Sequence, residues 1–97
     1  MATSFVINCM IKTVPNKNSM VSVTLPAKDY AQLEMFQETL TKLGIEPFLK
    51  FDTMNLKCSS ELKEQLQIGS IIKATIILEQ ISKRNYKNYP IWKLVSL

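Results

Sequence analysis

The sequence predicts a small, mainly β domain with some α structure: a five-stranded barrel with a helix inserted between strands 2 and 3. Three observations point there. Near the N-terminus, apolar and polar residues alternate with period two in two successive runs, the pattern of half-buried strands. One amphipathic helical segment follows them. Two long β-prone runs, joined by a polar, basic stretch, close the chain. With 97 residues, 46% of them apolar and 21% charged, the composition is ordinary for a globular protein, and residues 1–97 are read as one domain.

Strand 1 is read from Phe5 to Thr13, where Phe5, Ile7, Cys9 and Ile11 alternate with Val6, Asn8, Met10 and Lys12. Pro15-Asn16-Lys17-Asn18 is a turn, because Asn tolerates left-handed backbone angles. Val21, Val23 and Leu25 then mark strand 2, which Pro26 ends. The helix runs from about Ala27 to Leu43, with Leu33, Phe36, Leu40 and Leu43 at three- and four-residue steps. Asp29 is placed as its N-cap, with Gln32 in the capping-box position and Gly44 at the C-terminal cap. Phe48 to Leu56 is strand 3, the weakest of the five. Ser59-Ser60-Glu61 opens a short helix that ends before Gly69. Ile71 to Ile81 is strand 4, Ser82 to Asn88 a polar loop, and Tyr89 to Leu97 strand 5.

This element order is that of an OB-like barrel, which binds ligands with one sheet face and with the loops joining strands 1–2 and 4–5. The helix at 27–43 is an addition to it. A mixed α+β sandwich of the same elements is the competing architecture.

The chain contains no His, which removes the commonest general base and the commonest metal ligand. Cys9 and Cys58 match no metal or redox spacing and are read as free thiols of a reducing cytoplasm. Glu34 and Glu38 stand one helical turn apart on a solvated face. Two glycines, Gly44 and Gly69, cannot build a phosphate-cradling loop. The expectation is a binding module and not an enzyme, without cofactor or metal. No run is long and apolar enough for a membrane span, and residues 1–10 lack the features of a targeting signal.

The net charge of +4 is unevenly distributed. Residues 1–28 carry Lys12, Lys17 and Lys28 and no acid. Residues 80–97 carry Lys83, Arg84, Lys87 and Lys93 and no acid, while all eight acids lie between 29 and 79. A basic groove suits a polyphosphate backbone, whose neutralisation releases counterions. A solvated surface gives the same count, so charge alone does not decide.

The segment Ser82-Lys83-Arg84-Asn85-Tyr86-Lys87-Asn88-Tyr89-Pro90-Ile91-Trp92-Lys93 is more specific, because three aromatics at three-residue steps are interleaved with four cations. Aromatic rings stack unpaired bases, and neighbouring Lys and Arg follow the phosphates. Tyr86, in the loop, is the first stacking candidate, with Tyr89, Trp92 and Phe48 beside it. Alternation puts Tyr89, Ile91 and Lys93 on one face and Trp92 with Leu94 on the other, so Trp92 is either core or ligand contact. Phe48 shares its face with Lys50. Lys12, Lys17, Lys50, Lys83, Arg84, Lys87 and Lys93 are the candidate phosphate contacts.

The stretch from Gly69-Ser70-Ile71-Ile72-Lys73 through Ser82-Lys83-Arg84-Asn85-Tyr86 to Tyr89-Pro90-Ile91-Trp92-Lys93-Leu94 resembles the end of small OB-fold single-stranded DNA-binding proteins of bacteria, phages and mobile elements. The resemblance covers about a third of the chain in detail and the rest in element order. It implies binding of single-stranded DNA, or RNA, without strong sequence preference. The helix at 27–43 departs from the minimal fold. The chain ends in Leu94-Val95-Ser96-Leu97, without the acidic tail of many bacterial members, which points the resemblance toward phage or mobile-element DNA replication. A small OB domain offers few contacts, so a homodimer or a complex with a replication protein is expected. The alternative is a protein–protein adaptor or accessory subunit of a replication or primase enzyme. It would show apolar surface near Tyr30 and Met35 and a buried Trp92.

Overall fold

The alternating runs become strands whose apolar sides turn inward around a common core. The structure, a computed structural model, describes residues 4–15, 19–50 and 52–97. The elements are β1 (Ser4–Thr13), β2 (Met20–Thr24), α1 (Ala27–Lys42), β3 (Leu49–Lys50), β4 (Thr53–Lys57), α2 (Ser60–Glu64), β5 (Ile71–Arg84) and β6 (Lys87–Ser96).

The sheet order is β2-β1-β5-β6-β4-β3, and a further β2–β4 pairing closes it. β1, β2, β4, β5 and β6 thus form a closed five-stranded barrel consistent with an OB-like fold, with α1 between its second and third strands. The β4–β6 contact is parallel, at Lys57 and Lys93, and the other pairs are antiparallel. Closure removes exposed strand edges. β3 is a two-residue stub that pairs only with β4.

The core is built by alternation: Ile7, Cys9 and Ile11 from β1, Val21 and Val23 from β2, Met54 and Leu56 from β4, Ala74 and Ile76 from β5, and Trp92 and Leu94 from β6. Extra residues bend the ladders where registers shift. Lys12 is the additional residue opposite β2, and Glu79 the one opposite β6. Glu79 lets Leu78 point inward and Gln80, two positions on, point outward.

α1 lays Leu33 and Phe36 on this core. Phe36, Phe5 and Phe48 surround the Trp92 ring with centroid separations of 5.8, 5.6 and 5.0 Å. Two buried polar side chains fasten the helix. The Asp29 carboxylate accepts the backbone N–H of Asn8 at 3.2 Å. The Gln37 amide accepts the N–H of Phe48 at 3.0 Å and donates to Thr41 at 3.1 Å. Asp29 is therefore not the N-cap expected for it. Pro26 holds that place without a side-chain bond, and Asp29 spends its acceptor on β1. Gly44, at φ +82°, takes the left-handed turn that ends α1. Gly69, at φ +90°, donates its N–H to the Ile11 carbonyl as the chain enters β5.

Two expected boundaries are corrected. The run 48–56 is not one strand but β3 and β4, antiparallel, with Lys50 opposite Thr53. The 82–88 stretch is not an open loop. β5 continues to Arg84 and β6 starts at Lys87, and only Asn85 and Tyr86 form the turn.

Burial raises the Cys9 thiol from an ordinary 9.0 to about 11, with the Asp29 carboxylate adding to the rise. The folded thiol stays protonated where the unfolded chain ionises. The thiol's contribution to stability is therefore full below pH 9 and is lost as pH rises through about 11, by up to ~3 kcal/mol. Urea midpoints at pH 8 and pH 10.5 are expected to diverge in the wild type and to converge in Cys9→Ala, relative to the shift from other groups.

Candidate nucleic-acid interface

The outward side of the same alternation builds a cleft. Val21 and Leu56 point inward, so Met20 and Lys57, paired across β2 and β4, point outward. Trp92 and Leu94 point inward, so Tyr89, Ile91 and Lys93 point outward. Ser82 lies opposite Tyr89 and Arg84 opposite Lys87 on the β5–β6 ribbon, which puts Ser82 and Arg84 on the outward side as well. An open cleft of about 690 Å³ results, with Ser19 and Met20 on one wall, Lys57 in the floor, and Ser82, Arg84, Asn85, Tyr89 and Ile91 on the other. The Cys58 N–H donates to the Ser19 carbonyl at 2.6 Å and joins the first wall to the floor. The cleft thus lies between the β1–β2 connection and the β5–β6 hairpin, over the middle strand.

Its charges are mainly positive. Lys57 and Lys93 face each other across the β4–β6 pair, an arrangement of like charges that weakens a sheet unless something neutralises it. Glu79, the extra residue of β5, reaches Lys57 at 3.5 Å. Lys87 lies 3.9 Å from Glu46. Among the described residues Arg84 and Lys93 have no acidic partner.

The expected site residues are distributed as follows. Arg84 and Tyr89 line the cleft. Lys93 shares the outward face of β6, beside Lys57. Tyr86 stands at the hairpin tip, 95% exposed and outside the cleft lining. Lys83 is exposed but alternates to the opposite side of the ribbon from Arg84. Lys87 is exposed at the ribbon's base of the turn. Lys12 is exposed on β1, away from the cleft lining. Lys17 and the side chain of Lys50 lie outside the described residues. Trp92 and Phe48 are corrected. The Trp92 side chain is 1% exposed at the centre of the aromatic cluster and offers no face to a base, and half-buried Phe48 packs one side against it, outside the cleft lining.

Lys57 was not anticipated. Its signal was present: two residues beyond Asn55, it continues the outward side of a strand whose inward side is Met54 and Leu56. Both thiols are buried, and burial raises their pKa, which holds them in the protonated form. Among the described residues no three His, Cys, Asp or Glu gather in a metal-binding group, and no helix is long and apolar enough to cross a membrane. Comparison with known proteins gives no match to a family model, a curated protein or a solved structure.

Proposed function

We propose that this domain binds single-stranded nucleic acid along the cleft, without strong sequence preference and without catalysing a reaction. One observation carries the reading: the cleft lies between the β1–β2 connection and the β5–β6 hairpin of an OB-like barrel and holds an aromatic ring, Tyr89, with Arg84 and Lys57, while Lys93 stands beside Lys57 on the same face. A base stacks on Tyr89, and the cations follow its flanking phosphates. The strand is DNA in this reading, and RNA offers the same bases and phosphates. A role in phage or mobile-element DNA replication rests on the resemblance of the C-terminal third. A cleft of this size takes only a few nucleotides, so a homodimer or a replication protein would supply the remaining affinity.

Fluorescence anisotropy of a labelled oligo-dT, with matched duplex as control, tests the reading. The single strand is expected to bind more tightly than the duplex, and Tyr89→Ala to weaken it about tenfold, the scale of one lost base–aromatic stack. Absence of binding at roughly 100 µM protein in low salt, weaker than ordinary non-specific association, would refute it.

A second reading has its own observations. Trp92 is buried, while Met35 on α1 is 71% exposed and Leu43, which caps its C-terminal end, 69%. These are features of a protein–protein adaptor or accessory subunit of a replication or primase enzyme. Tyr30, half-buried, contributes little to that surface. The absence of oligonucleotide binding would favour this reading.

A further inference from the structure

The β5–β6 hairpin carries more than its side of the cleft needs. Its two-residue turn has both residues at positive φ, Asn85 at +48° and Tyr86 at +65°. A tight hairpin of this geometry favours Asn at the first position and Gly at the second. Asn85 fits, whereas Tyr86 occupies a backbone conformation that bulky residues avoid. The ring does not compensate by packing, since Tyr86 is 95% exposed. A strained residue held without internal contacts is a candidate functional position.

Two further features say what that position meets. The turn is short and closed by the Arg84–Lys87 pair, so the Tyr86 backbone is held in place and its exposed ring stands beyond the cleft lining. Cations also stand on both sides of the ribbon. Arg84 faces the cleft, and Lys83, one residue earlier and opposite Asn88, faces away from it. A strand in the cleft reaches Arg84 and not Lys83. Two strands that part at the tip, one passing on each side of the ribbon, reach both.

We propose that the hairpin tip stacks on the end of a duplex, with Tyr86 on the terminal base pair and Lys83 and Arg84 on the phosphates of the two separating strands, so that the preferred ligand is a single strand continuing from a duplex. This rests on the cleft reading for the single-stranded arm. An exposed aromatic ring carried on a rigid turn suits a terminal base pair, because the pair presents a flat and preorganised surface.

The test compares three labelled probes on the full chain: oligo-dT, the same oligo-dT continuing into a short duplex, and the blunt duplex. The wild type is expected to bind the tailed duplex about tenfold more tightly than oligo-dT, one stacking interaction's worth. In Tyr86→Gly, which relaxes the turn, that ratio is expected to fall to about one, and the melting temperature to rise. Lys83→Ala is expected to lower the ratio as well. A wild-type ratio near one, or a ratio unchanged in Tyr86→Gly, would overturn the proposal. If Tyr86→Gly weakens both probes equally, the ring serves the single strand and the junction proposal falls while the cleft reading stands. Failure of all three probes to bind would remove the cleft reading itself.

Discussion

Trp92→Ala is expected to lose ~3–5 kcal/mol of stability, the range for deleting a large aromatic side chain from a packed core. A domain of this size holds on the order of 5–15 kcal/mol in total, so the variant should be partly or wholly unfolded in mild urea. The reason is geometric. The indole is the hub on which Phe5, Phe36 and Phe48 converge, and these rings join β1, α1 and the segment leading to β3. Deleting it opens a cavity where three elements meet. Trp92→Phe is expected to lose only ~1 kcal/mol, because the smaller ring still touches its neighbours. It also removes an indole N–H that is buried with no hydrogen-bond partner among the described residues, which offsets part of the lost contact area. Urea midpoints with far-UV circular dichroism measure both. Trp92 is the chain's one tryptophan, so its emission reports this site alone. The emission should be blue-shifted, resist iodide quenching, and stay unchanged when oligonucleotide is added. A folded Trp92→Ala with an unaltered midpoint, or strong quenching by oligo-dT, would place the indole at the surface and undo the core assignment.

The tryptophan also shows where the sequence was readable. Alternation along β6 correctly set Trp92 with Leu94 against Tyr89, Ile91 and Lys93, because side chains in a strand change sides at every residue. It could not say which side was inward until the position of α1 was known. Phe36 of α1 and Phe5 of β1 meet Trp92 from far away in sequence, and no local pattern encodes that meeting. The barrel order was legible for a similar reason: the apolar periods change from two to 3.6 and back, at the positions where the elements change. The hairpin tip was not legible. A run of Lys, Arg, Asn and Tyr reads as a loop, since no apolar alternation marks it, yet the ladder continues to Arg84 and resumes at Lys87. The signal that was missed is Asn85, suited to the first position of a two-residue turn. Its partner, Tyr86, masks the turn because Gly would be expected there. The cleft itself was half legible. Arg84 and Tyr89 follow from their segment, whereas Lys57 enters through the parallel β4–β6 contact, which joins positions 36 residues apart in sequence.

That contact sets up the largest effect expected on binding. Lys57 and Lys93 lie directly opposite, and with Arg84 they make three cations on the outward face. If each meets one phosphate, log affinity for a single strand should fall against log salt with a slope of about −2, from roughly 0.7 per phosphate contact. Raising salt from about 50 to 200 mM would then weaken oligo-dT binding on the order of fifteenfold. The combined variant Lys57→Ala/Arg84→Ala/Lys93→Ala should flatten that slope and lower affinity at the lower salt on the order of a hundredfold. Its stability should change little, because solvent-accessible charges contribute little to folding and a like-charge pair is removed. Glu79 supplies a control of opposite sign. Its carboxylate holds Lys57 at 3.5 Å and competes with an incoming phosphate, so Glu79→Gln is expected to tighten binding a few-fold and to steepen the salt dependence. Titrations of each variant at four salt concentrations decide the matter. A wild-type slope near zero, or a slope that the triple variant keeps, would mean that this face does not meet a phosphate backbone. A steep slope that disappears with these three residues would assign the electrostatic part of binding to the cleft and the face adjoining its floor, and leave Tyr89 to supply the part that salt does not screen.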